Sequence, residues 1–233
     1  MPGALRKRVL TLVQSHRQTT EYALQAAMFS LHRTAGLVAD SDLLLHCNNM
    51  AIDRTTLLRY LARYPHDTRA LIHSADNADG YRCGHLKAIE KTAHVWRVYP
   101  TVLFLHPDVY LLPRAINWLG DSLAVAQRRQ PPSAFLVTKM FWDTGSRGGQ
   151  YFGTDLFAFK PSLLGKDFWN GVCQVPPDEP IKMPERTLYR LTRRLPISVL
   201  GNRTTSGYAP DAFGVWHSHY PVDVAKWLSS QRH

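Results

Sequence analysis

An apolar run broken by one polar triplet occupies residues 102–111, which read Val-Leu-Phe-Leu-His-Pro-Asp-Val-Tyr-Leu. Thr101–Leu105 is predicted to be a buried strand, because it is a short and continuous apolar segment. Pro107 disfavours a helix at this point and keeps His106 extended. The stretch therefore predicts a strand whose carboxyl end presents His106 and Asp108 to a crevice at the edge of a sheet.

Three more short apolar runs lie upstream, at residues 9–13, 42–46 and 70–73, and each is predicted to be a strand. Helical periodicity separates them at residues 20–31 and 53–61. Strands that alternate with helices over short connections favour βαβ units. The expected fold class is therefore α/β, with a Rossmann-like, mostly parallel mixed sheet flanked by helices, in a single domain over residues 1–233.

The rest of the chain is less regular, and its patterns predict a mixture of elements. One helix is expected through Ala88 to Trp96, and a second over Pro113–Val125, where proline suits the first turn. Ser133–Phe141 is β-prone, Tyr151–Phe159 is typical of strand and turn, and Pro184–Arg194 reads as a basic helix.

Ligands of parallel α/β sheets bind outside the carboxyl ends of the strands. The residues that follow the four predicted strands are polar apart from one proline: His16-Arg17, Asn48-Asn49, Asp76-Asn77 and His106-Pro107-Asp108. Loops are polar anyway, so any one of these groups is ordinary. Four such groups at one expected edge predict a binding site there.

The chain is basic, with 28 Lys and Arg against 18 Asp and Glu and a formal net charge of +10. Its 45% hydrophobic residues exclude a disordered or low-complexity class. The charge is typical either of a solvated basic surface or of an anionic partner, such as nucleic acid, an anionic membrane surface or a phosphorylated small molecule. The basic residues cluster at Arg6–Arg8, at Arg128-Arg129 and between Arg186 and Arg194.

The three cysteines are widely spaced and form no C-x-x-C motif, so neither a zinc site nor a disulfide framework is expected. No apolar run reaches the roughly 20 residues that a membrane span needs. No apolar segment after Arg6–Arg8 is long enough for a secretory signal. The expected location is cytoplasmic, with peripheral attachment to a membrane surface as a variant.

The His106-Pro107-Asp108 triplet after its apolar strand resembles the Asp-x-Asp motif of GT-A class nucleotide-sugar glycosyltransferases. The resemblance implies a GT-A-like domain, with a nucleotide-sugar-binding half at residues 1–112 and an acceptor-binding half at residues 113–233. It implies a nucleoside diphosphate-sugar donor, a glycan or glycoconjugate acceptor and a divalent metal at Asp108. His106 departs from the motif and favours Mn²⁺ over Mg²⁺.

Three further segments are similar to segments of that class. Asn77–Gly84 resembles a glycine-containing segment in which Gly80 and Gly84 let the backbone approach the donor, with Lys87 facing the diphosphate. Tyr151–Pro161 resembles the segment that contacts donor sugar and acceptor, with Asp155 as its acidic member. Trp216–His219 is similar to the C-terminal histidine segment that completes the metal shell, which implicates His217 or His219.

The resemblance also implies roles for the remaining polar residues. The nucleoside pocket would be lined by His16, Arg17, Asn48 and Asn49, and ribose or donor sugar would be held by Asp76 and Asn77. An inverting enzyme needs a carboxylate base, for which the candidates are Asp178, Glu179 and Asp155. A retaining enzyme would instead place Asp155 beneath the anomeric carbon.

Other interpretations stay open at this point. A sugar nucleotidyltransferase usually has a glycine-rich loop after its first strand, whereas residues 14–17 contain no glycine. A basic nucleic-acid-binding module accounts for the charge, but no recognised motif of that class is present. A transferase relic that binds without turnover is a further alternative. Asp155 could also simply pair with an arginine, and Asp178 and Glu179 could lie in a solvated loop.

Overall fold

The computed structural model describes residues 9–16, 41–48, 70–75, 86–106, 109–143, 149–174, 184–201 and 209–217. The strands in these ranges are β1 (Val9–His16), β2 (Ser41–Asn48), β3 (Ala70–Ala75), β4 (Thr101–Leu105), β5 (Val109–Leu111), β6 (Phe135–Val137), β7 (Met140–Asp143), β8 (Gly149–Phe152), β9 (Leu156–Phe159), β10 (Ile197–Val199) and β11 (Val215–His217). The helices are α1 (Leu86–Lys91), α2 (Ala93–Trp96), α3 (Pro113–Arg128), α4 (Phe168–Cys173) and α5 (Pro184–Thr192), with a 3₁₀ turn at Pro161–Leu163.

Seven of these strands form one mixed sheet in the order β10-β6-β9-β4-β1-β2-β3. Strands β4, β1, β2 and β3 run parallel to one another, and β6 and β10 run parallel to each other. Strand β9 is inserted antiparallel between β4 and β6. The predicted α/β class with a mostly parallel mixed sheet is confirmed.

Two short antiparallel pairs complete the described strands, β5 with β11 and β7 with β8. Strand β5 is the part of the apolar run that resumes after the His-Pro-Asp triplet. Its partner β11 lies more than 100 residues later in the chain, at Val215–His217. The β5–β11 pair therefore brings the C-terminal histidine segment back to the end of β4.

The three predicted upstream strands and the strand Thr101–Leu105 are confirmed, and β1, β2 and β3 extend beyond their predicted ends. The expectation of one helix through Ala88–Trp96 is wrong, because Thr92 separates α1 from α2. The Thr92 hydroxyl donates to the carbonyl of Ile89 at 3.4 Å, a local bond that competes with helix continuation. The helical patterns at residues 20–31 and 53–61 lie outside the described residues.

Strand β4 is buried along its whole length and packs in an aromatic core. Phe104, Phe157 and Phe159 are 0% exposed, and the rings of Phe159 and Trp169 have centroids 4.9 Å apart. Large aromatic side chains supply most of the apolar area that such a core removes from water. This core holds the carboxyl end of β4 in one position. Among the described helices, none is long and apolar enough to cross a bilayer.

One buried polar contact ties the start of β2 to the loop that leads into β4. The hydroxyl of Tyr99 donates to Oδ2 of Asp42 at 2.6 Å, and the two residues are each only 4% exposed. A buried carboxylate without a donor costs about 1–3 kcal/mol or more. The contact therefore stabilises the packing of β2 against the chain segment before β4.

Replacing Tyr99 by Phe is expected to lower the free energy of unfolding by about 1–3 kcal/mol, because the Asp42 carboxylate loses its donor while the ring keeps its packing. Urea unfolding of both proteins measures the difference. Adding Asp42→Asn to Tyr99→Phe should recover part of the loss, since the neutral amide costs less to bury. A Tyr99→Phe protein within 0.5 kcal/mol of the parent, on the scale of ordinary surface changes, would contradict the assignment.

Candidate functional site

The carboxyl ends of β1, β2 and β3 lie level with one another. His16 is the register partner of Asn48, and Asn48 is the register partner of Ala75. The predicted donor residues His16 and Asn48 are therefore neighbours at one edge of the sheet, and Asp76 directly follows Ala75 in the chain. Their contact with a donor remains a prediction.

The antiparallel pairing of β9 with β4 places Asp155 beside His106. Leu105 is the register partner of Leu156, so the residue after β4 and the residue before β9 are adjacent. The backbone N–H of His106 donates to the carbonyl of Asp155 at 2.8 Å. The side chain of Asp155 is buried, at 7% exposed, whereas His106 is half-buried.

The β5–β11 pair brings His217 to the same place. His217 is the register partner of Val109, the residue that directly follows Asp108 in the chain. The ring of His217 meets that of His106 edge-on, with centroids 6.0 Å apart. Nδ1 of His217 lies 3.7 Å from Oδ2 of Asp155, an ion-pair distance when the ring is protonated.

The structure thus brings together three residues that the sequence analysis singled out separately, His106, Asp155 and His217. They come from the end of β4, the turn before β9 and the last residue of β11. Two imidazole rings and a buried carboxylate at one sheet edge are groups that can take up, release or move a proton. We call these three residues the His-Asp-His cluster.

A close backbone approach shapes the turn that carries Asp155. The N–H of Gly153 donates to the carbonyl of Lys139 at 2.9 Å. A Cβ on Gly153 would lie 2.9 Å from Oδ1 of Asp155 and 3.1 Å from Cδ of Lys139, so a larger residue would displace one of them. The hydroxyl of Thr138 donates to the carbonyl of Leu156, the first residue of β9, at 2.7 Å.

Lys139 is a residue that the sequence reasoning missed. It is only 5% exposed. Its aliphatic chain and Oδ1 of Asp155 both lie close to Gly153, within 3.1 Å of the position that a Cβ on this glycine would occupy. A buried ammonium group requires nearby negative charge or acceptors to offset its desolvation. One feature of the sequence could have identified Lys139: it is the single charged residue within the apolar Ser133–Phe141 stretch.

The turn before β11 positions His217 and was also missed. Oδ1 of Asp211 accepts the N–H groups of Phe213 and Val215, at 3.0 and 2.9 Å. The N–H of Leu112 donates to the carbonyl of Gly214 at 2.9 Å, which joins the turn to the end of β5. Asp211 is buried at 7% exposed, so its bonds set the start of β11 and hence the place of His217.

The donor chemistry of the cluster can be compared with the expected metal. Among the residues that the structure describes, no group of three or more His, Cys, Asp and Glu side chains is arranged to hold a metal ion. The imidazole groups of His106 and His217 suit Mn²⁺ better than Mg²⁺. Their ring nitrogens are therefore suitable ligands for Mn²⁺. A complete set of ligands would also need Asp108 or His219, which lie outside the described residues.

Most of the other predicted site residues lie outside the described ranges. These are Arg17, Asn49, Asp76, Asn77, Gly80, Gly84, Asp178 and Glu179. Lys87 lies in α1, where its side chain is not described. Their roles stay predictions.

Replacing Asp211 by Ala is expected to lower the free energy of unfolding by about 1–3 kcal/mol, because two backbone N–H groups lose their acceptor. Thermal and urea unfolding measure the loss. Asp167→Ala is the matched control, since Asp167 is exposed and its side chain makes no cap hydrogen bond to α4. Equal, small effects in both variants would show that Asp211 does not hold the start of β11.

No protein-family model matches the sequence, and no curated protein sequence matches it either. Solved structures do match the fold. The glycosyltransferase GlyE of Streptococcus pneumoniae superposes with a TM-score of 0.57 at 11% identity, over 84% of this chain and 45% of GlyE. The mannosyltransferase PcManGT of Pyrobaculum calidifontis, solved with GDP-Man and Mn²⁺, gives 0.55 at 12% identity, over 84% of this chain and 55% of PcManGT.

HddC from Yersinia pseudotuberculosis gives a TM-score of 0.53 at 10% identity, over 95% of this chain and 99% of HddC. This chain spans about half the length of GlyE and of PcManGT. Identities this low carry information about the fold alone. The chain has the GT-A-type mixed α/β fold of nucleotide-diphospho-sugar glycosyltransferases.

Proposed function

We propose that this chain is a glycosyltransferase that moves a sugar from a nucleoside diphosphate donor to a hydroxyl group of a glycan or glycoconjugate. The observation that carries the proposal is the His-Asp-His cluster at the carboxyl end of β4, in a GT-A-type sheet. Ligands of open α/β sheets bind at this edge. PcManGT, a structural neighbour, was solved with GDP-Man, which supports a donor of this class.

The donor would lie across the level ends of β1, β2 and β3. His16 and Asn48, together with Arg17 and Asn49, would line the nucleoside pocket, and Asp76 and Asn77 would hold ribose or donor sugar. The backbone at Gly80 and Gly84 would approach the diphosphate, with the ammonium group of Lys87 facing it. The adjacent register of His16 and Asn48 supports this arrangement.

We propose that Asp108 and His217 hold a divalent ion, Mn²⁺ in preference to Mg²⁺, together with His106 or His219. A bound ion of this kind neutralises charge on the diphosphate leaving group. The carboxylate of Asp155 orients the ring of His217 through Nδ1, as carboxylates commonly orient metal-ligating histidines. The burial of Asp155 and its 3.7 Å contact support this positioning role.

In the transfer step, the acceptor oxygen forms a bond to the anomeric carbon of the sugar. The bond from that carbon to the diphosphate oxygen breaks, and the nucleoside diphosphate leaves with the electron pair. In an inverting reaction, Asp178 or Glu179 takes the proton of the acceptor hydroxyl. In a retaining reaction, Asp155 would stabilise positive charge at the anomeric carbon, and the departing diphosphate oxygen would take the proton of the acceptor hydroxyl. Product stereochemistry distinguishes these two courses.

Replacing Asp108 by Ala is expected to lower Mn²⁺-dependent release of nucleoside diphosphate from its sugar donor at least 100-fold, because the leaving group loses the ion held there. A coupled assay over a panel of UDP-, GDP- and dTDP-linked sugars, including hexoses and pentoses, measures the release. Asp121→Ala is the control, since Asp121 is exposed on α3. Unchanged release by the Asp108 variant would contradict the assignment of this residue.

Replacing Asp155 by Asn is expected to weaken Mn²⁺ binding about 10–100-fold, the usual effect of removing the carboxylate behind a metal-ligating histidine. Isothermal calorimetry with MnCl₂ measures the affinity. Asp167→Asn is the exposed control. If the Asp155→Asn variant bound Mn²⁺ as tightly as the parent protein, the contact between Asp155 and His217 would have no role in metal binding.

A further inference from the structure

The basic charge of the chain includes two segments that contain no acidic residue. Residues 122–142 and residues 186–210 have neither Asp nor Glu, and each contains a pair of adjacent arginines, Arg128-Arg129 and Arg193-Arg194. Charges of one sign without neutralising neighbours produce a local positive potential.

The structure places both arginine pairs beside β10. Arg128 ends α3, and the guanidinium of Arg129 donates to the hydroxyl of Ser198, the central residue of β10, at 3.3 Å. Arg193 and Arg194 lie in the short turn between α5 and β10. The carbonyl of Pro196 accepts the N–H of Ala134 at 2.8 Å, which fastens that turn to the segment after Arg129.

We call Arg128, Arg129, Arg193 and Arg194 the β10 basic surface. All four residues are exposed. Strand β10 is at the end of the main sheet, opposite β3, and pairs with β6 among the described strands. The surface therefore lies at the sheet border and is distinct from the His-Asp-His cluster at the end of β4.

Exposed apolar side chains accompany these arginines. Val125 is 55% exposed and lies one turn before Arg128 on α3, and Leu191 is 42% exposed and lies two residues before Arg193 in the chain. Arginine on a surface with exposed apolar groups is the composition that binds the headgroup region of a bilayer. Guanidinium groups also pair well with phosphate oxygens.

We infer that the β10 basic surface docks the protein on an anionic lipid membrane. Nucleic acid is the main competing anion. However, residues 122–134 and 190–201 contain no aromatic side chain, and stacking of bases on aromatic rings is the usual means of binding single strands. Exposed apolar side chains next to the arginines, Val125 and Leu191, fit a lipid interface better than a phosphodiester backbone. This inference is independent of the proposed transferase activity.

The test is co-sedimentation of the full chain with sucrose-loaded vesicles, of phosphatidylcholine alone or with 30% phosphatidylglycerol. The patch variant is R128Q/R193Q/R194Q, which leaves Arg129 on Ser198. The control variant is K91Q/R97Q/K166Q, which removes the same charge from three exposed residues, of which Lys91 and Lys166 adjoin Glu90 and Asp167 in the chain. Thermal unfolding establishes that both variants are folded.

The expected result is binding to the anionic vesicles and not to phosphatidylcholine alone. The patch variant should bind about 100-fold more weakly, since each arginine near an anionic surface contributes about 1 kcal/mol. The control variant should bind nearly as the parent does, and 0.5 M salt should release the parent.

Equal losses in the two variants would overturn the inference, because net charge rather than the β10 basic surface would then explain binding. Binding to neutral vesicles at the same strength would overturn it as well. A 20-nucleotide single strand that outcompetes vesicles at equal phosphate concentration, with a matching loss in the patch variant, would reassign the surface to nucleic acid.

Discussion

The antiparallel pairing of β9 with β4 is the constraint on which the candidate site depends. Parallel strands all end at one edge of a sheet, whereas an antiparallel strand begins where its neighbour ends. The start of β9 therefore lies at the carboxyl end of β4, and Asp155 lies next to His106 with a 2.8 Å backbone bond between them. A wholly parallel sheet would place the residue before β9 at the opposite edge.

The core around these two strands makes the arrangement rigid. All the residues of β4 and β9 are buried, and their phenylalanine rings pack against one another and against Trp169. The β5–β11 pair adds the third member, because its register sets His217 opposite Val109. The packed sheet therefore fixes the positions of His106, Asp155 and His217, which lie at the ends of its strands.

Local patterns predicted the elements that depend on local sequence. The apolar runs identified β1 to β4, and the triplet after β4 identified His106 and Asp108 as candidate residues. The sequence also predicted that the polar residues after the parallel strands lie at one edge of the sheet. His16 and Asn48 are register partners at that edge. The GT-A resemblance correctly indicated the fold.

The rest depended on long-range register and on single side chains. Nothing in Tyr151–Phe159 itself shows that β9 inserts antiparallel between β4 and β6, since these partners lie about 50 and about 20 residues earlier in the chain. Lys139 packs beside Gly153, and the Thr92 hydroxyl bonds to the carbonyl of Ile89 where α1 ends, so both features depend on individual side chains. Hydrophobic periodicity contains neither kind of information.

The central claim is that the end of β4 is a metal-dependent sugar-nucleotide site. The most direct measurement is calorimetric titration of the chain with UDP, GDP, CDP, ADP and dTDP, with and without Mn²⁺. The account predicts that one nucleoside diphosphate binds and that Mn²⁺ strengthens its binding at least tenfold. No binding of any of the five, with or without the ion, would contradict it.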